Sequence, residues 1–367
     1  MKKIILTVTN DLVTDNRVHK IASTLSEEGA HVTLIGRKLA KSPELSKRPY
    51  QTVRFKLLFN KGMLFYAEYN FRLFFYLLFS RAHILVANDL DTLLSNFLVA
   101  GLTGKKLFYD SHEYFTEVPE LVNRNLKRNI WLLLEKMILP RIKYAYTVSA
   151  PIAEAYKNKY GVEMEVIRNT PAYLDMKSIS KGNSTTRTIL YQGSLNLGRG
   201  LEHVIDAMHY LGDQYHLIII GSGDIEEELK TRVRDLNVGH KVSFLGRIPF
   251  QKLKYETIKA DLGIALEENI GLNYYYALPN KLFDYIQAHV PVIVSPFPEM
   301  QKIVNEYQIG TVYDHKDPQS LARKIEEIFS LGKRYQKWKK NTFKAAEELC
   351  WEKESQKLLR LYKPFLN

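Results

Sequence analysis

Short apolar runs alternate with amphipathic helical stretches along this chain, and the alternation runs through twice. In the first half, KIILTVT (3–9), HVTLIG (31–36), HILVAND (83–89) and KLFYDSH (106–112) have the length and content of buried strands. Between the first two, NRVHKIASTLSEEG (16–29) carries a helical apolar face closed by Gly29. The second half restarts with strand TILYQGS (188–194), helix GLEHVIDAMHYL (200–211), strand HLIIIGSG (216–223) and helix DIEEELKTRVRDL (224–236). Strands KVSFLG (241–246), ADLGIAL (260–266) and VPVIVS (290–295) follow. Apolar strands separated by helices specify parallel sheets covered on both faces. The expected fold is therefore α/β, with two doubly wound Rossmann-like domains facing a cleft and ligands at the carboxyl ends of the strands. The polar stretch KSISKGNSTTR (177–187) reads as a surface connection between them. A length of 367 residues suits two domains of ordinary size.

The single cysteine, Cys350, excludes a disulfide framework and a cysteine-rich metal site and fits a reducing compartment. The apolar run in MKKIILTVTNDL is too short for a signal sequence and meets TDNRVHK at once, so a first buried strand in a cytoplasmic protein is expected. The net charge of +12 is concentrated in residues 1–168, which hold 25 Lys and Arg against 16 Asp and Glu. Residues 37–56 carry seven basic side chains and one acid. The next segment, MLFYAEYNFRLFFYLLF (63–79), is strongly apolar but contains Glu68 and Arg72 and barely reaches membrane-spanning length. Two readings are open: a helix lying on an anionic membrane surface, or a core helix. NLKRNIWLLLEKMILPRIK (125–143) repeats the combination. No nucleic-acid reader motif accompanies the basic charge.

Chemistry concentrates at three turns of the second half. YALPNKLFDYIQAHVPVIVS (276–295) opens a helix at Pro279 and Asn280, follows with Lys281, and places Asp284 one turn later. A helix start with a lysine holds an anion, and an aspartate suits a hydroxyl donor such as a ribose; ordinary capping with a solvated charge pair is the alternative. YQGSLNLGRGLEHVIDAM (191–208) sets Gly193, Gly198 and Gly200 between strand and helix, with Arg199 among them. Gly221-Ser222-Gly223 ends another strand. Such turns admit a phosphate, or simply close a tight connection; neither has the dinucleotide or Walker spacing. Glu267 and Glu268 follow a strand directly. In the first half, YDSHEYFTEVPEL (109–121) puts Asp110, His112 and Glu113 at a strand end, either a sugar contact or a capping cluster. No zinc-protease, nucleophile-elbow or acidic metal grouping is present in the sequence, so no metal is expected.

Taken in order, NDLVTDNRVHKIASTLSEEGAHVTLIGR, YDSHEYFTEVPEL, VIRNTP, YQGSLNLGRGLE, IIIGSGDIEEELK, VSFLGRIPF and LPNKLFDYIQAHVPVIVS resemble the retaining GT-B glycosyltransferases of family 4, the glycosyl transferases group 1. LCWEKESQKLLRLY (349–362) resembles the family's last helix, which crosses back onto the first domain. The resemblance implies an acceptor-binding domain over 1–168, rejoined by helix 351–367, and a nucleotide-sugar domain over 169–350. It implies that Gly193 and Arg199 hold the donor diphosphate, with Ser194 standing where many members have a second arginine. Gly221 and Gly223 belong to the same donor site. Gly246, Arg247 and Ile248 match the loop beside the base. Leu278, Asn280, Lys281 and Leu282 line the donor, and Asp284 matches the second acid of the paired-acid motif, a ribose contact. The first acid of that pair falls on Tyr276 and is missing. Glu267 or Glu268 is expected to replace it, with Glu268 as the catalytic residue, unless backbone amides near Ala277 and Leu278 hold the sugar. His112 matches a histidine that approaches the donor sugar, and Asp15 and Arg17 stand where the acceptor is met.

The function so implied is retaining, metal-independent hexosyl transfer from a UDP- or GDP-linked sugar to a surface-glycan or lipid-linked acceptor, with no other cofactor. The expected setting is the cytoplasm, at the inner face of an anionic membrane. A nucleotide-sugar epimerase or glycogen-type synthase on the same fold is one rival. A catalytically inactive glycan-binding scaffold is the other.

Overall fold

The computed structural model describes residues 1–13, 15–118, 121, 124–175, 185–314 and 317–366. Most of the expected connection, 177–184, lies outside the described residues. The chain divides into two compact units, Met1–Asn169 with Glu354–Asn367, and Thr170–Lys353.

In the first unit seven parallel strands form one sheet: β1 (Lys3–Asp11), β2 (His31–Arg37), β3 (Gln51–Phe55), β4 (Ile84–Asn88), β5 (Lys106–Ser111), β6 (Tyr144–Thr147) and β7 (Glu165–Val166). Their spatial order is β3-β2-β1-β4-β5-β6-β7, so the chain reverses direction across the sheet between β1 and β4. That reversal opens a crevice at the strand ends. The central strands are buried throughout, which is why they read as unbroken apolar runs, whereas the edge strand β3 is half exposed and escapes that pattern. Helix α1 (Asn16–Glu27) begins where Asp15 accepts a hydrogen bond from the Val18 amide. Helix α2 (Gly62–Leu78) buries Phe65, Tyr69, Leu73 and Leu77, one residue per turn, against the sheet. Its other face leaves Met63, Leu64, Phe71 and Phe75 exposed, so neither reading of 63–79 is complete: half of the helix is core and half is apolar surface. Helix α3 (Leu90–Thr103) follows β4, and α4 (Asn125–Ile138) buries Glu135 and Ile138 while exposing Leu126, Ile130, Leu133 and Met137.

The C-terminal helix (Trp351–Leu366) runs into the first unit, where Tyr362 stacks on Phe108 at 4.3 Å and its hydroxyl lies 3.2 Å from that of Tyr146. Among the described residues no helix is long and apolar enough to cross a membrane.

The second unit repeats the plan with six parallel strands: β8 (Arg187–Gln192), β9 (Tyr215–Ile220), β10 (Val242–Gly246), β11 (Leu262–Ala265), β12 (Val292–Val294) and β13 (Gly310–Val312). They lie in the order β10-β9-β8-β11-β12-β13, with the reversal between β8 and β11. Gly193 and Glu267 therefore follow the two strands that flank the switch point, while Gly221 and Arg247 follow β9 and β10 toward one edge.

Candidate active site

The site of the second unit is assembled from the ends of β8 and β11 and from the helix Asn280–Gln287. Tyr285 fixes that helix beneath the strands. Its buried hydroxyl donates to the carbonyls of Leu190 and Ile264 (3.0 and 3.1 Å) and accepts from the Gln192 amide (3.2 Å). A Cβ on Gly263 would come within 2.5 Å of the Tyr285 ring, so that glycine makes room for the pillar.

Docked in this way, the helix brings Lys281 beside Gly193. The Lys281 ammonium lies 3.9 Å from the centre of the Tyr191 ring and 2.8 Å from a Glu267 carboxylate oxygen. Arg199 approaches the same oxygen at 3.8 Å while its guanidinium covers Tyr274. Glu267 and Lys281 are 5% and 7% exposed, yet both Glu267 oxygens, the Lys281 ammonium and Arg199 Nε have no well-directed hydrogen bond. Buried charged atoms left so are costly unless a ligand completes them. Two cations against one carboxylate leave this corner with an excess positive charge, which suits an anion richer in charge than Glu267 itself.

The glycine turns here do more than admit a ligand. Gly221 has φ +146, and a Cβ there would fall 1.8 Å from the Gly193 carbonyl oxygen. Its amide bonds the Gly246 carbonyl, while that of Gly193 bonds Ile220. Gly223 packs in the same way on Leu195. Gly221 and Gly223 thus serve loop-on-loop packing around Gly193 and Leu195. Gly193, exposed at φ +141, is the one facing Lys281, whose side chain a Cβ would meet at 3.4 Å. Ser194 is exposed beside it and its carbonyl accepts the Tyr191 hydroxyl at 2.7 Å.

Further sequence expectations divide. Glu268 lies 3.6 Å from His203, so of the two acids it is Glu267 that joins the cluster. Both glutamates lie in the irregular segment after β11, where no strand period tells from sequence which of them faces the cluster. Tyr276, where the paired-acid motif lacks its first acid, lies in the short helix Leu272–Tyr276. The side chains of Leu278 and Leu282 are core, 8% and 0% exposed, which leaves their backbone as the part that could face a donor. Asn280 and Arg247 are exposed at their turns, and Ile248 packs at the edge of the same core. Asp284 accepts Gln192 Nε2 at 2.8 Å, and Gln192 Oε1 accepts the Thr257 hydroxyl at 2.7 Å. This chain lines a cavity of about 250 Å³ with Lys254 and Leu174. Gln192, Tyr191 and Tyr285 read in sequence only as strand and helix residues; nothing local marks them.

At the end of β5 the first unit holds a second charged cluster. His112 lies between two carboxylates, Nδ1 at 3.2 Å from Asp89 and Nε2 at 3.1 Å from Asp110, and its amide donates to Asp89 at 2.8 Å. Burial alone would lower its pKa, but Asp89 and Asp110 push it up to about 9. Both ring nitrogens are committed, so the expected contact from the ring to a sugar hydroxyl is not prepared. Arg17 is buried, pairs with Asp110 at 2.7 and 3.1 Å and donates to the Ile167 carbonyl at 2.9 Å. Its expected place as an acceptor contact is therefore corrected: it is the counter-charge that holds Asp110. Asp15 caps α1 and accepts from Asn10, and it remains partly exposed.

The doubly repeated sheet and the strand-end charges define a GT-B protein. Residues 175–345 match the family described as Glycosyl transferases group 1, and residues 15–170 match Glycosyltransferase Family 4. The two glycosyltransferase models thus match the two units in turn. The O-antigen chain mannosyltransferase RfbU of Salmonella typhimurium is 25% identical over 53% of this chain and 54% of its own length. An N-acetylgalactosaminyltransferase of Campylobacter jejuni, named for a diNAcBac-PP-undecaprenol-linked substrate, is 23% identical over 56% of this chain and 55% of its own. The chain thus spans about half the length of these curated relatives. The sucrose-phosphate synthase of Thermosynechococcus elongatus superposes with a TM-score of 0.81 at 17% identity, over 99% of both chains, and so shares the fold.

Proposed function

We propose that this protein transfers a hexose-type sugar from a nucleotide diphosphate, UDP- or GDP-linked, to a surface-glycan or lipid-linked acceptor, with retention and without a metal. The observation that carries the reading is the buried Glu267–Lys281 pair with the half-buried Arg199 beside it, at the switch point of the second unit. Arg199 and Lys281 would take the diphosphate beside Gly193, Asp284 the ribose, and the turn at Arg247 and Ile248 the base. The bond from the anomeric carbon to the diphosphate breaks as that to the acceptor oxygen forms, and the acceptor proton passes to the leaving diphosphate. Because proton and nucleophile use the face the diphosphate leaves, the configuration is retained. Side-chain cations and backbone amides supply the charge stabilisation for which a metal would otherwise be needed. The similarity to an O-antigen mannosyltransferase and to a transferase named for a polyprenyl-linked glycan supports the acceptor class. The exposed apolar faces of α2 and α4, with the basic residues around them, support a place on the inner face of an anionic membrane.

Calorimetry with UDP and GDP in EDTA-containing buffer tests the reading. One of the two should bind, and Arg199→Ala and Lys281→Ala should each weaken it about ten-fold or more, the value of a charged hydrogen bond. Unaltered affinity in both variants, or binding only with added divalent metal, would remove the site.

A further inference from the structure

We propose that the cavity of the first unit enclosed by α2, α4 and the end of β4 is a binding site for a glycolipid, its hydroxyl-rich head on Asn88, Asp89 and Asp91 and its hydrocarbon tail along Met63, Ile130 and Leu134. The cavity holds about 660 Å³, which is within the range of small-molecule sites. Its two ends differ in chemistry.

The floor lies where β4 meets α3 and presents acceptors. Asn88 is 1% exposed; its Nδ2 donates to the Thr7 carbonyl at 3.1 Å, and its Oδ1 is buried without a partner. Asp91 is 9% exposed and accepts the Thr9 hydroxyl at 2.5 Å. Asp89 stands between them in a left-handed backbone conformation, φ 62, that non-glycine residues rarely take. An orphaned buried acceptor is expensive, so a molecule seated here must bring donors, and sugar hydroxyls do so without adding negative charge.

The outer part is apolar. Trp131 stands edge-on to Tyr66 and Phe115, both at 5.2 Å, and Met63 and Ile130 are 55% and 37% exposed. The exposed stripe Leu126, Ile130, Leu133 and Met137 carries this wall along α4. Arg124 and Lys127 also line the cavity, where they would take an anionic link between head and tail. A free sugar would leave the apolar wall wet, and an ionised fatty acid would bring no donor to the orphaned Asn88 oxygen. A neutral hydroxyl head on a hydrocarbon tail satisfies both ends.

Naming this ligand the acceptor rests on the transferase reading; its binding does not, so the test requires no turnover. Octyl glucoside, titrated below its micelle-forming concentration into the full chain, should change Trp131 fluorescence saturably, with Trp131→Phe as the control. Octanol and glucose should each bind about ten-fold or more weakly, as loss of either end implies. Ile130→Glu, a surface change, should weaken octyl glucoside about ten-fold, and Asn88→Leu should abolish its advantage over octanol. UDP or GDP affinity serves as a folding control for the variants, and its failure in the native chain would count against the donor site alone. Octanol binding as tightly as octyl glucoside would overturn the head site, glucose binding as tightly would overturn the tail site, and no saturable binding by folded protein would overturn both.

Discussion

Replacing Glu267 with glutamine strips the negative charge from a buried pair with Lys281 and from the half-buried Arg199 beside it. The Lys281 ammonium at 2.8 Å and the Arg199 guanidinium at 3.8 Å attract that carboxylate, by about 6 and 4 kcal/mol in an effective dielectric near 20. Desolvation offsets much of this, and removing one partner from a buried pair costs about 3–5 kcal/mol because the other charge is left uncompensated. For a unit of this size each kcal/mol lowers the melting temperature by roughly 2–4 °C, so Glu267→Gln should melt about 6–20 °C earlier. An added diphosphate reverses the loss. In the native protein the anion must first displace Glu267 from the cations, whereas in the variant the position is vacant. Inorganic pyrophosphate, or the nucleotide that binds, should therefore bind the variant at least about ten-fold more tightly, a difference of about 1.4 kcal/mol. Scanning fluorimetry and calorimetry at fixed ionic strength read both quantities. An unchanged melting temperature would show that the pair carries no buried charge imbalance. Weaker pyrophosphate affinity would show that the carboxylate organises the cations instead of occupying the anion's place.

Asp284→Ala should weaken nucleotide binding, while Asp284→Glu should largely preserve it by keeping an acceptor for Gln192; calorimetry that leaves both intact would make Asp284 an ordinary helix charge. In the first unit the His112 pKa, about 9 when folded, exceeds the unfolded value near 6.5. The His112 contribution is therefore present below about pH 6.5 and lost as pH rises through about 9, while Asp89, whose carboxyl burial pushes up to about 8, costs stability as it ionises in the same range; thermal melts should show a decline toward alkaline pH that is steeper in His112→Gln, where no cation faces Asp89. Vesicles with anionic lipid should sediment the protein at low salt and release it at high salt. Neutralising Lys38, Lys41 and Lys47 should shift it to the supernatant, each surface cation being worth about 1 kcal/mol. Arg48 is left in place because it donates to the Leu12 carbonyl and the Tyr50 hydroxyl and so holds structure. No sedimentation at low salt would separate the protein from the membrane.

The sequence by itself determined the two-domain α/β plan, because strands buried on both faces must be apolar without interruption and helices between them must be amphipathic. It also marked the turns where Gly193, Arg199, Lys281 and Asp284 lie, since glycine at a strand end and a lysine at a helix start leave local signatures. Edge strand β3 was invisible because half exposure removes the apolar run, and β13, three half-exposed residues, gives too short a pattern. Tertiary structure alone brought Glu267 rather than Glu268 to the cations, since both lie in the irregular segment after β11 and the docking of the helix Asn280–Gln287 through Tyr285 places Lys281 beside Glu267. It alone moved Arg17 into the interior, 93 residues from its partner Asp110, and gave Leu282 to the core. It likewise sealed Asn88 beneath α2 and α4, whose helical pattern carries no record of which face meets a cavity. Such pairings join strands and helices distant in the chain, and the energy of a buried charge depends on that enclosure, which no local pattern encodes.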